Sequence, residues 1–418
     1  MSAAAAANSG EFRKGGKSLF AGMMGVATGA SPLPFNALPI VIGPINAAMG
    51  WSFSQISLGI TIYGLIGAML APVVGALADR VGTRPVALGS LTCFGLAFGL
   101  LYFTPDSIYA FYAIWALIGI VGIGSTPVTW SRSINLWFYK KRGLALGILL
   151  LGTSLAGLFV PQIANRVLEM ADWRTVFLAL AALPLFIGLP LAIALFRDPK
   201  PEERPPAISA NSGDLTGMAL AEALKGYRFW ILFGSIMMIA FAYGGAHIHM
   251  VQIVQFHGFT SSDAANVMSV VALGIFSGRL IVGLLFDRFW APGVAVPVLL
   301  LPVAACYMLL GDSTSTSLVY LAGYMLGFAA GAESDMIAYL ASRYFGMLSY
   351  GRIYGFLYLP FGVFSSLSAA AYGQVRDATG NYDQILMVAM GLFTVGGLIL
   401  LMLGKYPDWG KEEKGAIA

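Results

Sequence analysis

Runs of about twenty apolar residues, separated by short polar or Gly/Pro-rich joints, recur along this chain. A run of that length matches the hydrocarbon core of a bilayer better than any soluble element. Twelve spans are expected, over 18–48, 54–77, 85–104, 108–138, 143–169, 174–196, 227–256, 263–286, 294–311, 316–345, 353–374 and 384–404. Hydrophobic residues make up 58% of the 418 and charged residues 11%, against about 25% charge in a soluble domain. Most of the surface therefore has lipid as its solvent. The 51 glycines let helices approach closely and favour a packed bundle over separate anchors. Two cysteines and three histidines supply neither a disulfide framework nor a metal site. No nucleophile–base pair and no basic face points to an enzyme or to a nucleic-acid partner, and no cofactor is expected.

Positive charge orients the spans. With both termini on one side, nineteen of the twenty-four Lys and Arg fall there, Arg166, Arg174 and Arg376 fall opposite, and Arg132 and Arg279 lie inside spans. The positive-inside rule makes the rich side cytoplasmic, so a bacterial inner-membrane protein with both ends inside is expected. The expected organisation is a cytoplasmic tail over 1–17, a six-helix half over 18–196, a linker over 197–226, a second six-helix half over 227–404 and a tail over 405–418. The linker opens on Arg197-Asp198-Pro199-Lys200-Pro201, which can neither stay helical nor insert. After it Leu215, Met218, Ala219, Ala221, Leu224 and Tyr227 recur at helical spacing, as in a short helix on the membrane face or a solvated linker helix.

The halves repeat at one shift. Gly75-Ala76-Leu77-Ala78-Asp79-Arg80 matches Gly283-Leu284-Leu285-Phe286-Asp287-Arg288, and Gly50-Trp51-Ser52 with Ser54 matches Gly258-Phe259-Thr260 with Ser262, both 208 residues apart. A duplicated six-helix unit is one of the transporter architectures, with its site near the midplane.

The run Gly75 to Pro85, Gly-Ala-Leu-Ala-Asp-Arg-Val-Gly-Thr-Arg-Pro, closely resembles the signature of the major facilitator superfamily between its second and third helices. The resemblance implies an all-α membrane fold of twelve transmembrane helices in two pseudo-symmetric six-helix halves. It also implies that Asp79, Arg80 and Arg84, with Asp287 and Arg288 in the second copy, latch the inward gate. Arg132 lies about 7.5 Å inside its span; it either snorkels or joins that gate by pairing with Asp335.

Charges inside spans are costly and need a reason. Arg279 stands eight residues before Asp287, about 12 Å into the core, and its repeat counterpart Ala71 is uncharged. A guanidinium facing a wet cavity fits a carboxylate with two parallel hydrogen bonds; the alternative is a pair that only holds helices together. Here the chain resembles the monocarboxylate porter and oxalate–formate antiporter branch. The residues that carry the resemblance are Arg279, Asn135-Leu136-Trp137-Phe138 with Lys141-Arg142-Gly143-Leu144-Ala145 and Gly147, and Tyr354-Gly355-Phe356. In relatives the eighth-helix arginine binds the substrate carboxylate. Oxalate carriers add an eleventh-helix lysine, absent from Tyr354 to Tyr372 here, which argues for a monoanion. Some monocarboxylate carriers have an aspartate one turn before the arginine, where this chain has Ile275.

Glu333 and Asp335 are the only acids well inside the apolar runs. Two residues apart on a helix, they point about 200° apart, so one is expected to bind a coupling proton while the other pairs in the bundle; the alternative is a permanent buried pair with Arg132 or Arg279. His247 and His249 are also two apart, so at most one faces a cavity, and His247 is the candidate. Pro32, Pro34, Pro39 and Pro44, with Asn36 among them, suit a kinked gating helix. Tyr63, Trp130, Tyr243, Tyr324 and Tyr358 are candidates to shape the cavity. The expected substrate set is therefore Arg279, Tyr63, Asn36, Trp130, Tyr243, His247 and Tyr358, and the expected activity is proton-coupled import of a small monocarboxylate by a monomer in contact with membrane lipid. The alternatives are an organic-anion exchanger and a non-transporting membrane sensor.

Overall fold

The computed structural model describes residues 3–138, 141–200, 203, 217–311, 315–346 and 348–407. They are almost entirely helical. The first half is built from α1 (Ala3–Ala27), α2 (Pro32–Met49), α3 (Phe53–Val81), α4 (Thr83–Leu100), α5 (Ile108–Gly122), α6 (Pro127–Trp137), α7 (Arg142–Met170), α8 (Trp173–Ala182) and α9 (Leu189–Leu195). The second follows a short connecting helix, α10 (Leu220–Lys225), with α11 (Tyr227–Ile248), α12 (Met250–Phe256), α13 (Ser261–Arg288), α14 (Ala291–Met308), α15 (Thr316–Phe345), α16 (Tyr350–Thr379) and α17 (Asp383–Leu398).

Eleven helical stretches among the described residues are long and apolar enough to cross a membrane. The one remaining expected span, the tenth, is α15, thirty residues of continuous helix that carry Glu333, Asp335 and Arg343. Expected and observed limits agree closely, as in Phe53–Ala78, Ile108–Trp137 and Trp173–Leu195. Helix caps explain why. Asp172 accepts from the Thr175 backbone N–H at 2.9 Å and starts α8, and Ser315 does the same for Leu318 at the start of α15.

The 208-residue repeat is visible as local geometry. Gly50 and Gly258 both take positive φ, 67° and 83°, the conformation that stops a helix most easily at glycine. Two residues on, a capping box starts the next helix in each half. Ser52 and Gln55 bond reciprocally before α3, and Thr260 and Asp263 do so before α13.

The first span departs from a simple helix. It begins at Ala3, so Arg13, Lys14 and Lys17 stand on the leading turns of α1 itself, and it is interrupted at 28–31. Pro32 has no N–H for Thr28, and the ring of Pro34 would clash with the Ala30 carbonyl four residues back. Both freed groups of Ala30 find side chains instead. Its N–H donates to Ser125 Oγ at 3.0 Å, and its carbonyl accepts from the Tyr63 hydroxyl. The seventh span is also split, at His249 between α11 and α12.

The described residues form two compact units, within Met1–Asn211 with Thr260–Ser269, and within Ser212–Phe259 with Val270–Ala418. In the first unit Gln162 of α7 donates to Asn266 at 3.2 Å and to Ser269 at 3.0 Å. Its core packs Leu19, Trp130, Trp137, Phe138, Leu149 and Phe196. In the second, Gly244 and Gly245 of α11 lie against Ser365 and Tyr372 of α16, where no β-carbon fits. The Met218 N–H donates to the Phe345 carbonyl at 2.8 Å and ties the chain before α10 to the end of α15. The expected linker helix is thus six residues long, while Leu215 lies outside the described residues.

Candidate functional site

Close helix contact in the second unit sets the position of its buried charges. Gly274 and Gly278 of α13 face Gly327 and Gly331 of α15, with spacing four on both helices. A β-carbon on Gly278 would lie 2.1 Å from the Phe328 carbonyl oxygen, and one on Gly327 would lie 2.0 Å from that of Val271. Backbones meet directly at such pairs. Arg279 follows Gly278 by one residue and Glu333 follows Gly331 by two, so the deep arginine and the deep acid flank the same crossing. Ser277 and Tyr324 share a hydroxyl–hydroxyl hydrogen bond of 2.8 Å across the same two helices.

Glu333 is 1% exposed, and its Oε1 has no hydrogen-bond partner among the described residues. Tyr358 of α16 lies within electrostatic reach of both Glu333 and Arg279, and Tyr243 of α11 within reach of Glu333. Tyr243 stacks on His247 with centroids 5.5 Å apart, and its hydroxyl is 3.3 Å from His247 Nδ1. Five residues singled out in the sequence, Arg279, Glu333, Tyr243, His247 and Tyr358, therefore share one neighbourhood. Tyr358 is also the third ring of a stack along α16 made by Tyr350, Tyr354, Tyr358 and Phe361, with centroids 5.0–5.8 Å apart.

His249 is engaged in the fold. Its Nε2 must donate to the Ala369 carbonyl at 2.9 Å, which leaves Nδ1 to accept from the Tyr382 hydroxyl at 3.0 Å. Three members of the expected substrate set have structural partners in the first unit. Tyr63 is buried against Phe35 and Trp115, and its hydroxyl serves the Ala30 carbonyl at the helix break. Trp130 is wholly buried; its Nε1 donates to the Ser125 carbonyl at 3.0 Å, and its ring fills the space above Gly25, where a β-carbon would lie 2.3 Å from it. Asn36 turns its amide back to the Pro32 carbonyl at 2.8 Å. Trp130 thus presents no accessible surface, and the Tyr63 hydroxyl proton is engaged by the Ala30 carbonyl.

Among the expected gate residues, Arg132 Nη1 donates to the Ala78 carbonyl at 3.0 Å and to Thr83 Oγ1 at 3.2 Å, joining α6 to the α3–α4 turn. Arg84 Nη2 donates to the Ile193 carbonyl at 2.8 Å. Arg80 and Arg288 are exposed. The side chains of Asp79, Asp287 and Asp335 lie outside the described residues.

Residues 24–369 match the sequence profile of the Major Facilitator Superfamily. Monocarboxylate transporter 13 of Rattus norvegicus is 26% identical over 348 residues, covering 80% of this chain and 76% of the relative. The 3-(3-hydroxy-phenyl)propionate transporter of Escherichia coli K12 is 25% identical over 360 residues, covering 83% and 79%. The crystal structure of the nucleoside transporter NupG superposes with a TM-score of 0.73 at 14% identity, covering 93% of this chain and all of that one, and so shares its fold. The profile match spans most of the chain, the fold is the same, and the chain belongs to the Major Facilitator Superfamily.

Proposed function

We propose that this transporter moves a small organic monocarboxylate across the bacterial inner membrane together with a proton, both termini being cytoplasmic. The observation that carries the reading is that Arg279 and Glu333 both lie beside the α13–α15 glycine crossing, with Tyr358 in reach of both charges. An arginine fork suits a carboxylate, and a buried carboxyl suits a proton that comes and goes. Ionised Glu333 holds Arg279; once protonated it releases the guanidinium to the substrate carboxylate, and the neutral site lets the halves alternate. Tyr243, His247 and Tyr358 bound the rest of the substrate. Arg132, Arg80, Arg84 and Arg288, with Asp79 and Asp287, serve the gate. Two relatives named for carboxylates, a monocarboxylate and a phenylpropionate, support the substrate class.

Thermal stabilisation of the detergent-purified protein by mono- and dicarboxylates tests the substrate class, with Arg279→Ala in parallel. Ligand that binds the folded state raises the midpoint. Monocarboxylates are expected to stabilise the parent and not the variant. No response of either protein to any carboxylate overturns the substrate reading. Uptake into proteoliposomes that is indifferent to pH and to a protonophore overturns the coupling.

A further inference from the structure

One end of the first unit carries a cavity of about 580 Å³, lined by Arg13, Lys14, Lys17, Arg84, Arg197 and Glu203. The leading turns of α1, the start of α4 and the end of α9 meet there. Arg13 and Lys17 are spaced i, i+4 and Lys14 and Lys17 i, i+3, so α1 presents all three on one side.

The walls are fixed by hydrogen bonds rather than by the charges themselves. Ser18 Oγ donates to the Arg197 carbonyl at 3.1 Å, Trp137 Nε1 donates to the same carbonyl at 2.9 Å, and Arg84 reaches the Ile193 carbonyl. The Arg197 guanidinium lies 4.8 Å over the Trp137 ring. Phe12 packs edge-on to Phe138 at 5.0 Å and seats the start of α1.

The single acid that lines the cavity among the described residues, Glu203, is already engaged. Both Glu203 oxygens accept from Arg197, at 2.5 and 2.8 Å, and Oε2 also accepts from the Lys200 N–H at 2.9 Å. Among the described residues no carboxylate pairs with Arg13, Lys14, Lys17 or Arg84. The first N–H of α4 is not a free donor either, since Thr83 N–H bonds to Asp198 at 3.0 Å. Four like charges on one walled cavity repel until an anion enters.

The surroundings say which anion. Ile193 lines the cavity and is 54% exposed, and Phe20, one turn beyond Lys17, is 46% exposed. A basic cavity bordered by exposed apolar side chains at the end of membrane helices fits an amphiphile, and the cation-rich side faces the anionic leaflet. We propose that this cavity holds the phosphate headgroup of an anionic phospholipid, whose chains run along α1 and α9. The inference does not depend on which substrate the second unit takes.

The test uses the full chain, purified in a non-ionic detergent, and its thermal midpoint with dioleoylphosphatidylglycerol, with dioleoylphosphatidylcholine and with inorganic phosphate. The anionic lipid is expected to raise the midpoint by several degrees, the zwitterionic lipid and phosphate at the same concentration to leave it unchanged. Arg13→Gln/Lys14→Gln/Lys17→Gln is expected to lose the shift, and Arg166→Gln, a cation exposed elsewhere on the first unit, to keep it. Equal shifts with both lipids, an equal shift with phosphate, or a full shift in the triple variant overturns the proposal. If the triple variant does not fold, Lys14→Gln and Lys17→Gln are read singly, both being exposed. Each is expected to weaken half-saturation roughly fivefold, about 1 kcal/mol per cation, and unchanged half-saturation in both overturns the proposal.

Discussion

A β-carbon on Gly331 would lie 2.1 Å from the carbonyl oxygen of Ile275. That distance makes Gly331→Ala a test of the α13–α15 crossing. The two backbones must separate, at a cost on the order of 1–3 kcal/mol for overpacking, and Arg279 and Glu333 move apart with them. The thermal midpoint should fall and carboxylate uptake should fall with it. Gly391→Ala, where nothing lies within 4 Å of the added carbon, should leave the midpoint unchanged or slightly raised. Equal behaviour of the two variants would sink the account.

Glu333→Gln separates coupling from binding. The amide keeps the shape and imitates the protonated acid, so the variant should still exchange labelled for unlabelled monocarboxylate across a proteoliposome membrane. It should fail to accumulate substrate against a gradient when protons drive uptake. Proton-driven accumulation at the parental level would remove Glu333 from the coupling step.

Arg279→Lys keeps the charge and loses the fork. A lysine meets a carboxylate as a point charge, so uptake should fall at least tenfold even though the site remains cationic. The measurement is initial uptake rate against substrate concentration in both proteins. Parental kcat/KM in the lysine variant would mean that the charge alone is used.

Tyr63→Phe should behave as a stability variant. Removing the hydroxyl leaves the buried Ala30 carbonyl without its partner, a loss of about 1–3 kcal/mol, while the substrate KM stays within about twofold. A large rise in KM with an unchanged midpoint would instead mark Tyr63 as a substrate-site residue.

The Arg197–Glu203 pair has a defined pH window. The guanidinium holds the Glu203 carboxyl down at about 2, against an ordinary 4.5. A depressed acid adds stability that is complete above the unfolded value and fades as pH falls through the folded one. The pair is therefore constant from pH 5 to 8 and is released only between about pH 4.5 and 2. Glu203→Gln should differ from the parent by the same amount throughout pH 5–8. It should also strengthen phosphatidylglycerol binding, since Arg197 then joins the other four cations of the cavity.

The spans could be read because each ends on chemistry written locally, such as Gly50 with Ser52 and Gln55, or Asp172 with Thr175. That Arg279 and Glu333 stand inside helices of the bundle could be read because a charge in an apolar run stands out against its neighbours. The partners of Tyr63 and Trp130 could not be read, for the opposite reason. An aromatic ring inside a span has no local mark of its use, and their partners, Ala30 and Gly25, lie 33 and 105 residues away. The Gly274/Gly278 and Gly327/Gly331 pairs were present in the sequence at spacing four, but which helix each pair faces is settled only by packing. The basic cavity was hidden in the same way, because Arg13, Lys14 and Lys17 acquire a fixed geometry only once α1 extends through them.

The interruption at Ala30 bears on how the protein is made. A nascent first span that entered the bilayer alone would carry the freed N–H and carbonyl of Ala30 into hydrocarbon, at several kcal/mol for each unmet group. Both partners, Tyr63 and Ser125, are synthesised later, on the second span and at the turn within the fourth. The native break at Ala30 can therefore be satisfied by these side chains only once four spans have been threaded and can close around it.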